Sequence, residues 1–117
     1  MKSFDTSEYQ KAKEVCREAL FEWRDDTNDL FPEDDRSYMI DWTIEDAIFA
    51  QNCTNTAIDS ILNTCMRNHV SCELDHIRKR FEHAINTKSI IRCQGALRYA
   101  HKVFCDILTD LRVISLY

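Results

Sequence analysis

One glycine, Gly95, and one proline, Pro32, serve a chain of 117 residues. Tight turns and β-hairpins draw on both residues, glycine for positive φ and proline for a preset φ. A chain almost without them is expected to be all-α, and the spacing of its apolar residues says the same. The expected architecture is a compact bundle of four to six helices packed around a long C-terminal helix. The length suits one helical domain over residues 1–117, with residues 1–6 as a flexible N-terminus and 25–41 as an acidic linker.

The helices are read from apolar period and capping chemistry. Ser7 is the expected cap of a first helix carrying Tyr9, Ala12, Cys16, Ala19, Leu20 and Trp23, and the run Asp25-Asp26-Thr27-Asn28-Asp29 before Pro32 ends it. A short turn over Arg36 to Ile40 is expected to be helical. Thr43 followed by Asp46 has the spacing of a capping box, opening a helix with Ile44, Ala47 and Ile48 on one face. The polar run from Gln51 to Thr56 is poor helix material and is expected to kink or end that helix. Ala57, Ile58, Ile61, Leu62, Cys65 and Met66 restore the period, and a further break is placed near His69 to Ser71. Leu74, Ile77, Phe81, Ala84 and Ile85 form the next stripe.

The last helix has the strongest pattern. After a cap at Thr87 or Ser89, Ile90, Cys93, Leu97, Ala100, Phe104, Ile107, Leu111 and Ile114 alternate at steps of three and four. Ile91, Val103 and Leu108 widen this stripe, which places the helix at a bundle centre. Gly95 lies inside the helix, where glycine costs about 1 kcal/mol relative to alanine, and a close helix crossing there is the expected reason.

Charge is polarised along the chain. Residues 1–69 hold 7 Lys/Arg and 15 Asp/Glu, while residues 70–117 hold 8 and 5. The acidic excess peaks between Asp25 and Asp46, where only Arg36 is basic. Such a chain can steer a basic partner or pair head-to-tail with a copy of itself. Large apolar groups, Trp23, Leu30, Phe31, Tyr38, Met39 and Trp42, flank the acidic linker. They either cap the bundle or stand outside as an interface patch.

Chemistry finds less purchase. Cys65, His69, Cys72 and His76 follow one another at i, i+4, i+7 and i+11, a thiolate and imidazole set that zinc accepts if the chain turns between His69 and Cys72. A calcium loop starting at Asp25 fails at both key positions, with Leu30 where glycine is needed and Arg36 where glutamate is needed. A phosphotransfer histidine followed by lysine and glycine is absent: His76 and His101 are not followed by that run. With no Gly-x-Ser-x-Gly elbow, glycine-rich phosphate loop or His-Glu-x-x-His, no enzymatic activity is expected. The basic residues Arg78, Lys79, Arg80, Lys88, Arg92, Arg98, Lys102 and Arg112 are interspersed with acids in a chain of pI near 5.3, and nucleic acid is not the expected partner.

The six cysteines, at 16, 53, 65, 72, 93 and 105, are expected to be reduced. The first residues turn polar and acidic at once, without an apolar leader core, so a cytoplasmic or nuclear location is expected. No apolar run reaches the ~20 residues of a membrane helix, so no membrane partner is expected.

The function expected from these features is a non-enzymatic intracellular helical adaptor or regulatory protein that binds another protein, one with a basic surface or a second copy as a homodimer. Trp23, Leu30, Phe31, Asp34, Asp35, Tyr38 and Trp42 form the first candidate contact surface, and Arg92, Arg98 and Lys102 the second. No cofactor is expected. The alternative is a small zinc-stabilised helical module with nucleic-acid contacts, built on Cys65, His69, Cys72 and His76.

Overall fold

In a computed structural model that describes residues 6–31 and 41–111, the chain forms α1 (Thr6–Thr27), α2 (Ile44–Leu62), α3 (Arg67–Asn86) and α4 (Ile90–Asp110). A single 3-10 turn, Asn28–Leu30, follows α1, and the described residues contain no strand. Among the described residues the helix count is at the lower end of the expected range. At 21 residues α4 is long, though α1 is one residue longer at 22. The turn proposed over Arg36 to Ile40 lies outside the described residues.

Each helix buries one stripe. On α1 it is Ala12, Cys16, Leu20, Trp23 and Thr27, at steps of three and four. Ser7 lies within this helix rather than at its cap, because helical backbone already includes Thr6. The helix closes as expected: the Thr27 hydroxyl donates to the Trp23 carbonyl at 2.7 Å, and the backbone tightens into the 3-10 turn.

The capping box opens α2. The Asp46 amide donates to Thr43 Oγ1 at 3.2 Å, and the Thr43 amide donates to Asp46 Oδ2 at 2.9 Å. The expected interruption at 51–56 does not occur, and α2 runs through to Leu62. Thr54 and Thr56 turn their hydroxyls back onto the carbonyls of Ala50 and Asn52, at 2.7 and 3.0 Å, so these groups are satisfied within the helix. The buried stripe is Ala47, Ala50, Thr54, Ala57, Ile58 and Ile61. Ile44 and Ile48, expected beside Ala47 on the inner face, stand 39% and 42% exposed. Small residues fill the side of α2 that meets its neighbours, which leaves the bulkier ones outside.

The second break comes earlier than the expected His69 to Ser71. Thr64 makes it: its hydroxyl donates to the Ile61 carbonyl at 2.6 Å and accepts from the Met66 amide at 3.1 Å. Helix α3 then buries Val70, Leu74, Ile77, Phe81 and Ala84. It ends in a Schellman motif, with the Lys88 amide donating to the Ile85 carbonyl and the Ser89 amide to the Ala84 carbonyl. Lys88 occupies the left-handed position there, at φ 55°, where glycine is usual. Ser89 then caps α4 by accepting from the Arg92 amide at 3.2 Å.

The four helices pack as a bundle in which α3 lies chiefly on α4 and α1 on α2, while α2 and α4 touch one another and share the centre. On α4, Cys93, Leu97, Ala100, Phe104 and Ile107 are buried as expected, and so are Val103, Leu108 and Leu111. Ile114 lies outside the described residues. Two expectations about α4 are overturned. Ile91 does not widen the core stripe: it is 80% exposed. Gly95 marks no close crossing among the described residues, because a Cβ added there meets nothing within 4 Å.

Candidate functional site

Aromatic residues beside the acidic linker close one end of the bundle. Trp23 is buried, donates from Nε1 to Thr54 Oγ1 at 3.0 Å, and packs its edge against Phe104 at 4.8 Å between centroids. Trp42 is buried and donates from Nε1 to the Leu30 carbonyl at 3.2 Å, which fixes the start of α2 to the end of α1. Leu30 is buried, and half-buried Phe31 packs on Trp23 and on His101. Trp23, Leu30 and Trp42 therefore contribute to the core, and Phe31 alone of these four keeps a partly open side. Asp34, Asp35 and Tyr38 lie outside the described residues.

Behind this cap sits a polar cluster. Arg24 Nη1 donates to His101 Nε2 at 2.9 Å, and the Cys105 thiol approaches the same nitrogen at 3.8 Å. Guanidinium has no lone pair to offer, so Nε2 must be the acceptor and the imidazole is neutral. Burial first, and then the Arg24 charge, pushes the His101 pKa below its ordinary value. Burial pushes the Cys105 thiol up, against the opposing effect of Arg24. The pair holds its proton on sulfur and its imidazole nitrogen on Arg24, an arrangement that braces the bundle end.

The other basic residues are dispersed. Arg78 pairs with Asp59 and donates to Asn55 Oδ1 at 3.4 Å, Lys79 pairs with Asp75 at 3.0 Å, and Arg80 lies over the Tyr99 ring at 4.2 Å. Arg92 is exposed and contacts His83 Nε2 at 3.0 Å. Arg98 and Lys102 are exposed one turn apart on α4. Arg112 lies outside the described residues.

The Cys/His series is split by the position of the break. Cys65 is half-buried in the turn before α3 and its thiol reaches the Glu8 carbonyl at 3.8 Å, while His69, Cys72 and His76 are exposed on α3 itself. Among the described residues no group of three or more His, Cys, Asp or Glu side chains is placed to hold a metal ion. All six cysteines are free thiols, with Cys16 and Cys93 fully buried and Cys72 exposed. Burial pushes the Cys16 thiol up to about 11.

The feature that sequence reading missed is a groove between α1 and α2. From α1 it takes Ala19, Glu22, Trp23 and Asp26, and from α2 Phe49, Asn52, Cys53, Thr56, Ala57 and Ser60. Phe49 stands 48% exposed at its lip, although it is a large aromatic group in the first half of a packed helix. Val15, exposed one turn before Ala19, extends the α1 wall. No lysine or arginine lines the groove among the described residues. Burial, then the Asp26 and Glu22 charges, push the Cys53 thiol up, so the floor is a neutral sulfur under an acidic rim. The sequence did hold a signal: three alanines at 47, 50 and 57 take the inner face of α2, which forces Phe49 outward.

Comparison with family models, with curated proteins and with solved structures finds no match for this chain. No helix of the described residues is long and apolar enough to cross a membrane.

Proposed function

We propose that the protein is a non-enzymatic protein–protein interaction module, an adaptor or regulator, whose α1–α2 groove receives a basic helical segment of a partner chain. The observation that carries this reading is Phe49, half-exposed at the lip of an apolar-floored groove with Glu22 and Asp26 on the opposite wall. An aromatic anchor beside a depression is the usual centre of an interface, and flanking carboxylates select a cationic partner and speed its approach. Helix-in-groove recognition needs a trough between two fixed helices, and the packing of α1 on α2 supplies it. The acidic linker and the basic positions Arg92, Arg98 and Lys102 remain further surfaces of the same module.

A lysine-rich amphipathic helical peptide titrated into isotopically labelled protein tests this reading. The amide resonances of Ala19, Glu22, Phe49 and Cys53 should move together and saturably. Phe49→Ala should weaken the peptide about tenfold, the loss typical of a truncated interface anchor, with far-UV circular dichroism unchanged. Shifts confined to other surfaces would remove the groove from the proposal.

A further inference from the structure

The face of α4 turned away from the core carries an unusual sequence of side chains. Ile91 is 80% exposed, and Gly95, Arg98 and Lys102 follow it along the same face, all exposed. Positions 91, 95, 98 and 102 are separated by 4, 3 and 4 residues, the steps that keep one face of a helix in line. The α1 wall of the groove, continued to Val15, has the same spacing: Val15, Ala19, Glu22 and Asp26. Set side by side in parallel, the two rows match at every position. Ile91 meets Val15, Gly95 meets Ala19, Arg98 meets Glu22, and Lys102 meets Asp26.

Resting on the interaction-module reading, we infer that the groove's occupant is α4 of a second copy of this chain, lying parallel to α1 of the receiving copy. Each row spans about 16 Å, so the match extends over the length of an ordinary helix contact. The apolar pair and the small pair occupy one half, where glycine facing alanine allows axes to approach to about 8 Å. The cationic pair and the carboxylate pair occupy the other half. Among the described residues none of the four charged side chains has an ion-pair partner within its own chain. Phe49, on the opposite wall, covers the docked helix from its second side.

Three of the five large apolar side chains exposed among the described residues, Val15, Phe49 and Ile91, are covered by this one contact. It also supplies the close helix crossing that Gly95 lacks among the described residues. The contact joins different surfaces of the two copies, so it is heterologous, and copies add head-to-tail unless a ring closes. A two-helix contact falls in the smallest class of specific interface, under about 1,200 Å², the class of weak and transient association.

Sedimentation equilibrium of the full chain, under reducing conditions and at two salt concentrations, tests the inference. The wild-type protein should show a mass that rises with concentration past that of a dimer, and 0.5 M salt should shift the rise to higher concentration. Glu22→Lys with Asp26→Lys leaves an intact α4 face, and Arg98→Glu with Lys102→Glu leaves an intact groove. Each double variant alone should associate about 100-fold more weakly, because two attractions become two repulsions. Their equimolar mixture should regain association and again grow past a dimer, with the two variants alternating, because the reversed α4 face complements the reversed groove as the native face complements the native groove. Circular dichroism on each variant confirms that the helices are retained.

A wild-type chain that stays monomeric, or a mixture that stays monomeric while the wild type associates, overturns the inference. So does association indifferent to both charge reversals. If the monomeric wild type still binds the lysine-rich peptide at Phe49 and Glu22, the groove belongs to a different protein, and only the second copy is removed from the argument. If neither the peptide nor a second copy binds, both readings fail.

Discussion

Replacing Gly95 by alanine should stabilise the isolated chain by about 1 kcal/mol. Glycine in the interior of a helix gives up more backbone freedom on folding than alanine does, and host measurements put the difference at about 0.8–1 kcal/mol. Whether that gain survives depends on the space around the new methyl group. Gly95 is exposed in the first third of α4, its φ is not positive, and a Cβ placed there meets nothing within 4 Å. No packing or strain penalty therefore opposes the propensity gain. With unfolding entropy of about 2.1 cal/mol/K per residue over the 117 residues, 1 kcal/mol corresponds to a rise in Tm of about 4 °C. Urea unfolding followed at 222 nm should show a higher midpoint at unchanged slope. The measurement belongs at low micromolar concentration, below the association inferred for α4. At high concentration the same methyl group faces Ala19 of the next copy and should weaken assembly while stabilising the chain. A Tm at or below that of the wild type in dilute solution would refute the reasoning, since it would mean that the α4 surface at Gly95 is already covered.

The bundle end offers two further tests. Thr54→Val keeps the shape of a buried side chain but removes the acceptor of the Trp23 Nε1 proton, and leaving a buried donor unpaired costs about 2 kcal/mol, or ~8 °C in Tm; a valine variant as stable as the wild type would show that Trp23 finds another acceptor. His101 has a pKa below its ordinary 6.5, so between the two values the unfolded chain binds more protons than the folded one. Stability from this group is therefore complete above pH 6.5 and declines as pH falls through the depressed value. Comparison of urea midpoints across that window should show a steeper acid-side loss in the wild type than in His101→Gln, and parallel profiles would mean that His101 titrates as an ordinary exposed histidine.

Much of the architecture was legible in local chemistry. The Thr43–Asp46 box and the Ser89 cap each state a helix start in a few residues, because a side-chain oxygen and an amide three positions on are brought together by the first turn alone. The stripes of α3 and α4 were legible because their large apolar residues repeat without interruption. Less was legible where two local solutions compete. The threonines of α2 have poor helix propensity, yet bonding back to the preceding turn lets them stay in the helix. The pattern around Thr64 continues the apolar period, yet its hydroxyl captures the backbone, so that α2 ends at Leu62 and α3 begins only at Arg67. That displacement also separates Cys65, in the turn, from His69, Cys72 and His76, on α3.

The candidate groove was the least legible part, and for a different reason. Period places Phe49, Ile44 and Ile48 on α2 but does not say which side of the helix meets α1. Volume decides it: alanines at 47, 50 and 57 fit between packed helices, and the bulky groups are left outside. The identical spacing of Val15, Ala19, Glu22 and Asp26 with Ile91, Gly95, Arg98 and Lys102 is written in the sequence. It acquires meaning only once Val15 and Ile91 are known to be exposed.

The sequence by itself determined that the chain is helical, where α2 and α4 start, most of the inward stripes of α3 and α4, and that its charge divides between an acidic first half and a more basic second half. These follow from interactions that reach no further than one helical turn, or from composition. Tertiary structure alone decided that Trp23 and Trp42 seal the bundle end rather than project from it, that Gly95 has open space before it, and that a groove with an acidic rim lies between α1 and α2. The physical reason is that burial belongs to pairs of surfaces: a side chain is inside only when another helix has room to cover it.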